Sequence, residues 1–357
     1  MLRLSHTHIY ELILTPICAN VALLMVIFGA GASYDSFPSF PPPNPRWKNY
    51  RPPLANQLFD QSRFGDQISL FPKCQPIIPF IQGEGVNVER VLEEFQSQAS
   101  EYPERHRQLA AIRYYLQTML WVCQQRWKEV TKGVTSYKTL LDQIAHRRVS
   151  NGKVCLVTFN YDTLLEDALP TVDVKIQTIP DYISSDYQVV KLHGSINWAH
   201  EVTDFHSVAG QNPMATAYEL IEKFPELMLQ DRFLVANGAP IQSPGSIPYF
   251  PALAIPVESK PDYECPAEHL ETMEKSIPQV TKVLVIGWRA AENRFLRSLA
   301  GGIGRNTRVM VVSSSETRGA EVIERMRGAG VMAKFSAAKG GFSNAVKSRE
   351  VDNFLKS

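Results

Sequence analysis

The feature that most constrains the fold is an apolar run over residues 21–28 that ends in the turn Gly29-Ala30-Gly31-Ala32-Ser33. A continuous run of this length is typical of one buried parallel strand. In an open α/β sheet, a small-residue turn after such a strand lets the backbone approach a pyrophosphate and points N–H groups at it. The full G-x-G-x-x-G pattern is absent, so dinucleotide binding and simple close packing are both open at this point.

Alternating strand and helix patterns predict the rest of the fold. Apolar, β-rich runs cover residues 153–159, 189–192, 281–287, 307–312 and 331–335, and helical patterns separate the later ones. This alternation predicts an α/β fold with a doubly wound, mostly parallel, Rossmann-like sheet. Between about 200 and 280 the pattern is mixed, with a helix predicted near 218–229 and short strands around 233–236 and 252–257.

The domain organisation follows from these patterns. Apolar stripes at helical spacing over residues 86–147 predict a helical insertion packed beside the sheet. One domain over residues 25–345 is expected to contain this insertion, and residues 346–357 are expected to form the end of a C-terminal helix. Residues 1–24 are interpreted as an N-terminal extension, with Met25 as an alternative start.

Two segments near the N-terminus need separate treatment. The stretch 9–32 is largely apolar, but Glu11, Pro16 and Asn20 interrupt it and its second half is the first strand, so no membrane span is predicted. The proline-rich segment 37–53 precludes a helix or a central strand and predicts an irregular loop. That loop is either a lid over a ligand or a plain surface loop.

Composition excludes several classes of protein. The chain has 37 basic and 36 acidic residues, which argues against nucleic-acid binding through bulk electrostatics. Its five cysteines are scattered and form no C-x-x-C pair, so neither a disulfide framework nor a cysteine zinc site is supported. No metal is therefore expected, and a reducing cytoplasm is the natural location.

Four predicted strands end in polar or glycine-containing turns, namely Gly29–Asp35, Thr158–Asp162, His193–Ser195 and Gly287–Arg289. Because ligands bind at the carboxyl ends of strands in a doubly wound sheet, these turns should line one crevice. Structural roles are the alternative: Asn160 and Asp162 can cap a following helix, and His193 can be a turn residue bonded to backbone.

The four turns carry a family resemblance. The segments Gly-Ala-Gly-Ala-Ser (29–33), Thr-Phe-Asn-Tyr-Asp (158–162), Lys-Leu-His-Gly-Ser (191–195) and Val-Leu-Val-Ile-Gly (283–287) occur in the order and approximate spacing of the sirtuin-like NAD-consuming family. The resemblance covers residues 25–340. It is closest to a bacterial branch whose members degrade NAD in defence against phage.

The resemblance implies NAD as the substrate and a set of residues around it. It implies catalytic roles for Asn160 and Asp162, beside the nicotinamide and its ribose, and for His193, facing the ribose hydroxyls. It implies a cofactor-binding set made of Gly29, Ala30, Gly31, Ser33, Asp35, Thr158, Gly194, Gly287 and Ser313, in which Ser313 would touch the adenosine ribose.

These residue types suit cleavage of the nicotinamide–ribose bond. That reaction passes through an oxocarbenium-like state, as glycoside cleavage does. Asn160 could orient water or a ribose hydroxyl, Asp162 could fix the geometry, and the imidazole of His193 titrates in a useful range. Fixed dipoles in a dry pocket would stabilise the developing charge.

Two departures from the family pattern matter. Sirtuin protein deacylases carry a zinc ribbon with two C-x-x-C pairs after the His-Gly motif, and this sequence has none, which disfavours deacylation. After Gly287 the chain reads Trp288-Arg289, where the family usually has a small hydroxyl residue two positions after the glycine. Arg289 either contacts a phosphate or simply alters the pocket.

The sequence therefore predicts an NAD glycohydrolase that releases nicotinamide and ADP-ribose, with abortive-infection defence implied by the resemblance. Activation by homo-oligomerisation or by a partner protein is expected, and no membrane or nucleic-acid partner. The alternatives are an NAD-dependent deacylase or ADP-ribosyltransferase, and a non-catalytic module that senses NAD or ADP-ribose.

Overall fold

The structure is a computed structural model that describes residues 23–37, 45–83, 85–148, 152–205, 207, 212–243, 245, 247–257 and 262–357. Nearly all of the predicted N-terminal extension, and the centre of the proline-rich segment, lie outside these residues. The described end of that segment forms a 3₁₀ helix, Pro45–Tyr50. Within the described ranges, no helix has the length and apolar character needed to cross a membrane.

The strands are β1 (Leu23–Phe28), β2 (Val154–Thr158), β3 (Tyr187–Lys191), β4 (Gly194–Thr203), β5 (Met228–Val235), β6 (Asn237–Gly238), β7 (Ile241–Gln242), β8 (Tyr249–Leu253), β9 (Val280–Ile286), β10 (Arg308–Val312) and β11 (Lys334–Ala338). The α-helices are α1 (Ala30–Tyr34), α2 (Gln61–Ser69), α3 (Ile78–Ile81), α4 (Val88–Ser97), α5 (Pro103–Thr131), α6 (Ser136–Arg147), α7 (Pro213–Lys223), α8 (Ala267–Ser276), α9 (Asn293–Gly302), α10 (Glu316–Gly328), α11 (Gly341–Lys347) and α12 (Glu350–Lys356).

A six-stranded parallel sheet confirms the predicted doubly wound α/β fold. Its strand order is β11-β10-β9-β1-β2-β3, and every neighbouring pair is parallel. The chain builds outward from β1 to β3 on one side and from β9 to β11 on the other. The order therefore reverses between β1 and β9, and in open α/β sheets this reversal is where ligands bind.

Strand β1 lies at the centre of the sheet because both of its faces are apolar. Met25 and Ile27 pack into one core and Val26 and Phe28 into the core on the other face, all fully buried. The sequence of a strand buried on both faces is a continuous apolar run rather than an alternating pattern, and residues 21–28 show such a run.

Helices α1–α6 occupy the long connection between β1 and β2. Helix α4 begins after Asn87, whose side-chain oxygen accepts hydrogen bonds from the backbone N–H groups of Glu89 and Arg90. The long helix α5 is buried through most of its length. Trp127 of α5 donates a hydrogen bond to Ser36 Oγ at 3.0 Å, which ties this helix to the segment that follows the glycine turn.

A second, antiparallel sheet with the order β5-β4-β8 was not predicted as a sheet, although the short strands predicted around 233–236 and 252–257 overlap the ends of β5 and β8. Its first strand, β4, begins immediately after His193, where the sequence predicted only a turn. Gly194 makes this passage with φ +78°, and a Cβ at this position would lie 2.1 Å from the carbonyl oxygen of Ala252. His193 therefore lies in the link between the two sheets.

The helix predicted near 218–229 is shifted in the structure. Helix α7 begins earlier, after Asn212, whose side chain accepts hydrogen bonds from Met214 N and Ala215 N. It ends at Lys223, and the next residues form a 3₁₀ turn that contains Pro225. Proline cannot continue an α-helix, so Leu229 belongs to β5 instead.

Candidate functional site

Three glycines bring the carboxyl ends of β1 and β9 into direct backbone contact. Gly31 N donates to Gly287 O at 3.0 Å, and Gly29 N donates to Ile286 O at 3.0 Å. Gly287 has φ +60°, and a Cβ there would lie 2.3 Å from Ala32 N. This approach requires glycine. The N–H groups of Gly29 and Gly31 are therefore already bonded to backbone carbonyls of the protein.

The next turn residues face in different directions. Ala30 is exposed, whereas Ser33 is buried. Ser33 Oγ lies 2.9 Å from the hydroxyl of Tyr137, which α6 carries into the core. Burial raises the pKa of Tyr137 well above its ordinary value, so this hydroxyl stays protonated. Tyr137 is a site neighbour that the sequence analysis did not find.

Asn160 is bound to the glycine turn through its side-chain amide. Its Nδ2 donates to Gly29 O at 3.0 Å and to Ser33 Oγ at 3.0 Å, and lies 3.3 Å from the Tyr137 hydroxyl. A backbone carbonyl only accepts hydrogen bonds, so the amide must present its NH₂ group to Gly29. The Oδ1 atom consequently points away from the turn.

Asp162 is buried two residues further along the chain. Desolvation raises the pKa of its carboxyl, while the charge of Lys191 and a hydrogen bond from Ser33 act in the opposite direction. Asp162 Oδ1 also accepts a hydrogen bond from Leu164 N at 3.1 Å. This bond lies within the turn and does not cap a helix, because the 3₁₀ helix that follows begins at Glu166 and its N-cap residue is Leu165.

A buried ion pair stabilises the segment around Asp162. Lys191, at the end of β3, is fully buried, and its Nζ donates to Asp162 O at 2.5 Å and lies 2.9 Å from Glu166 Oε1. Tyr182 donates to the same Glu166 oxygen at 3.2 Å. The sequence analysis did not assign Lys191 a role, although a charged residue within the apolar run 189–192 was a usable signal.

His193 is buried against aromatic side chains. Its ring makes an edge contact with Phe159 at a centroid distance of 5.1 Å and lies 6.1 Å from the ring of Tyr161. Phe159 in turn stacks on Trp288, which follows β9, at 5.4 Å. The structure thus places His193 against both sequence neighbours of Asn160. Its backbone carbonyl accepts from Ala254 N at 3.0 Å.

The other predicted site residues mostly make contacts within the protein. Thr158 Oγ1 accepts from Asn160 N at 3.1 Å. Asp35 accepts from Ser343 N and Oγ at 3.3 and 3.0 Å, and burial raises the pKa of its carboxyl. Ser313 donates to Ser315 O at 2.6 Å. These side chains shape the carboxyl edge of the sheet.

Arg289 forms an ion pair across this edge. Its Nη2 lies 2.7 and 2.9 Å from the two carboxylate oxygens of Glu89, in the first turn of α4. The Arg289 side chain is 63% exposed. The pair joins the loop after β9 to the helices that connect β1 and β2, and it leaves Arg289 with a protein partner.

Two cavities of the described structure lie away from these residues. One, of about 280 Å³, lies between α5 and the antiparallel sheet, and the other, of about 190 Å³, lies beside α2 and α5. Gly29, Asn160 and His193 line neither cavity and are packed against their neighbours instead. Across the described ranges, no group of three or more His, Cys, Asp or Glu side chains is arranged to hold a metal ion.

The glycine contact at the strand-order reversal defines a Rossmann-like α/β protein. Neither a scan of protein-family models nor a search of curated proteins gives a match. Among solved structures, the chain is similar to a Sir2 homologue in complex with NAD, with 14% identity and a TM-score of 0.37 over 92% of this chain and 90% of that chain. It is also similar to a Sir2 homologue variant in complex with ADP-ribose, with 14% identity and a TM-score of 0.39 over 94% of each chain.

Proposed function

We propose that this chain is an NAD glycohydrolase, which uses water to cleave NAD into nicotinamide and ADP-ribose. The four-motif resemblance of the sequence to NAD-consuming enzymes supports NAD as the substrate. In the proposed biological role, depletion of cellular NAD acts as an abortive-infection defence against phage. This role rests on the resemblance alone.

The observation that carries the proposal is the fixed orientation of Asn160. Its NH₂ group is held by Gly29 O and Ser33 Oγ. The side-chain oxygen, turned away from these partners, is free to accept a hydrogen bond from a water or a ribose hydroxyl. A preorganised acceptor of this kind costs no reorganisation during the reaction, which is the source of most electrostatic catalysis.

The neighbouring groups suit the remaining requirements of the chemistry. Nicotinamide is released as positive charge develops on the ribose, and the buried Asp162 lies in the same turn as Asn160 to stabilise it. His193 would accept or relay a proton, as imidazoles do near neutral pH. The aromatic side chains of Phe159 and Trp288 stack on each other beside His193 and place apolar surface at this end of the sheet.

The same packing supports regulated activity. Gly31 N is bonded to Gly287 O, and Arg289 is paired with Glu89. A nucleotide at the turn would compete with these contacts. We therefore propose that a second copy of the chain or an activating protein releases them, so that the isolated chain has low activity.

The test is to incubate the purified chain with NAD and follow nicotinamide and ADP-ribose by chromatography. Asn160→Ala and His193→Ala should each abolish release, while the exposed controls Asn353→Ala and His146→Ala should retain it. Release in both site variants would refute the assignment. Release that strictly requires an acylated peptide would favour a deacylase, and NAD binding with no release under any activating condition would favour a sensor.

A further inference from the structure

The cavity between α5 and the antiparallel sheet is unlike the rest of the surface in its chemistry. It has a volume of about 280 Å³, and its polar wall is formed by Arg113, His200 and Glu264. Leu229 and Phe250 supply an apolar wall. The cavity belongs to a part of the fold that the proposed NAD chemistry does not use.

Arg113 places a buried guanidinium in the wall of this cavity. Its Nε is buried and has no hydrogen-bond partner among the described residues. The guanidinium lies 5.9 Å from the centroid of the Phe250 ring. Burial lowers the pKa of Arg113, and the charge of Glu264 opposes this shift. A buried charge is costly unless it is paired, and an anionic group bound beside this guanidinium would offset that cost.

His200 is bonded to a carboxylate of the same wall. Its Nε2 lies 2.7 Å from Glu264 Oε1, and since a carboxylate only accepts hydrogen bonds, Nε2 carries the proton. Nδ1 is buried and has no hydrogen-bond partner among the described residues. The wall therefore holds a cation, Arg113, beside a carboxylate, Glu264, that is already bonded to His200.

The charges of the lining restrict the ligand further. Asp231, on the exposed part of β5, adds a carboxylate to the cavity lining. A simple anion would be attracted by Arg113 and repelled by Asp231 and Glu264. A simple cation would be attracted by the two carboxylates and repelled by Arg113. A molecule that carries both charges satisfies the whole lining.

We propose that this cavity binds a free α-amino acid with an apolar side chain. The carboxylate pairs with the guanidinium of Arg113, the ammonium group faces Asp231, and the side chain packs on Leu229 and Phe250. The volume of about 280 Å³ is many times the space that one water needs, so the cavity has room for a ligand such as leucine. The binding does not depend on the proposed NAD activity.

The cavity is also fixed to the link between the two sheets. Glu264 N donates to Leu192 O at 3.2 Å, and Glu264 forms a β-bridge with His193. A ligand bound beside Glu264 is therefore connected to the backbone of His193 through one β-bridge.

The test is calorimetric titration of the full chain with L-leucine and L-phenylalanine up to millimolar concentration. Two matched probes each lack one charge: 3-phenylpropanoate has no ammonium group and phenethylamine has no carboxylate. We expect saturable binding of an amino acid, with each probe at least tenfold weaker because one charge-assisted hydrogen bond is lost. No binding of either amino acid, or equal binding of 3-phenylpropanoate, would overturn the proposal.

Two variants locate the site. Arg113→Met keeps the apolar stem and removes the donor, and it should abolish binding, while the exposed Arg90→Met should not change it. Asp231→Asn lies on an exposed strand segment where folding is not at risk. It should weaken amino-acid binding about tenfold, and it should leave 3-phenylpropanoate binding unweakened or stronger, because that probe has no ammonium group and loses a repelling carboxylate. Unchanged amino-acid affinity in Asp231→Asn and Arg113→Met would place the ligand elsewhere.

Discussion

The side-chain amide of Asn160 donates a hydrogen bond to the backbone carbonyl of Gly29 at 3.0 Å, and this bond joins the ends of two neighbouring parallel strands. The two residues are far apart in the chain. Their contact exists because β1 and β2 are adjacent in the sheet, so the geometry of the turn after one strand depends on the side chain after the other.

Asn160→Asp should therefore destabilise the fold, although the two side chains are similar in size. It places a carboxylate oxygen against Gly29 O in a buried setting, so two acceptors face each other. We expect a loss of about 1–3 kcal/mol in the free energy of unfolding, measured by urea denaturation near neutral pH. Acidification should restore part of it, because a protonated carboxyl donates. Equal stability of this variant and the exposed control Asn353→Asp would contradict the assigned amide orientation.

Tyr137→Phe should separate the positioning of Asn160 from the packing of α6. The variant keeps the ring contacts with Phe28 and Phe342 at 5.2 and 5.4 Å and removes the hydroxyl. We expect a loss of about 1 kcal/mol in stability, and a fall in kcat for NAD cleavage that exceeds any rise in KM. The exposed Tyr102→Phe serves as the control. A change in KM alone would argue against a role in orienting Asn160.

Lys191→Met should be strongly destabilising because it leaves Glu166 charged and buried without its cation. Removal of one partner from a buried pair typically costs about 3–5 kcal/mol. The double variant Lys191→Met with Glu166→Gln should recover part of that loss, since Glu166 no longer carries a buried charge without its cation; recovery stays incomplete because the buried Asp162 also loses the charge of Lys191. Chemical denaturation measures both, beside Lys275→Met, whose exposed pair should matter by less than about 1 kcal/mol. No recovery in the double variant would count against this account.

Gly287→Ala should disrupt the contact between β1 and β9. The added Cβ would meet Ala32 N at 2.3 Å in a residue with φ +60°, and neither the clash nor the conformation suits an L side chain. We expect a loss of more than about 1 kcal/mol in stability, together with loss of NAD turnover. Gly65→Ala is the matched control, because nothing lies within 4 Å of its Cβ and it lies within α2. In thermal unfolding, the midpoint of Gly287→Ala should therefore fall, while that of Gly65→Ala should stay the same or rise.

His269 should make stability depend on pH. Burial lowers the pKa of His269 below its ordinary value of 6.5, while its Nε2 stays bonded to Ile179 O. As the pH falls below 6.5, the unfolded chain takes up a proton that the folded state resists, so stability decreases there and not above it. His269→Gln can keep the bond without titrating. Its unfolding midpoint should vary less between mildly acidic and neutral pH, and an unchanged slope would exclude His269 as the cause.

The parallel sheet could be predicted because its strands have a distinctive sequence pattern. Strands such as β1 and β9 are buried on both faces and read as continuous apolar runs, and the turns after them contain the glycines that now lie in contact. The proximity of Asn160 to the glycine turn could also be predicted, since the carboxyl ends of parallel strands meet at one edge of the sheet. The catalytic assignments stay predictions.

The antiparallel sheet could not be predicted in the same way. Strand β5 is half-exposed along its length, so Met228–Val235 shows no clear alternation of apolar and polar residues. Tyr137 and Lys191 were missed for a different reason. Each acts through a contact between distant parts of the chain, and local spacing does not indicate which buried hydroxyl or amine faces the site.

The central position of β1 has a consequence for biosynthesis. Leu24 pairs with Val154 on one side and with Lys282 on the other, so both neighbours of this strand are translated long after it. An apolar strand without partners is prone to aggregation. We expect the nascent chain to rely on early collapse of α2–α6 or on chaperones at the ribosome until β9 emerges.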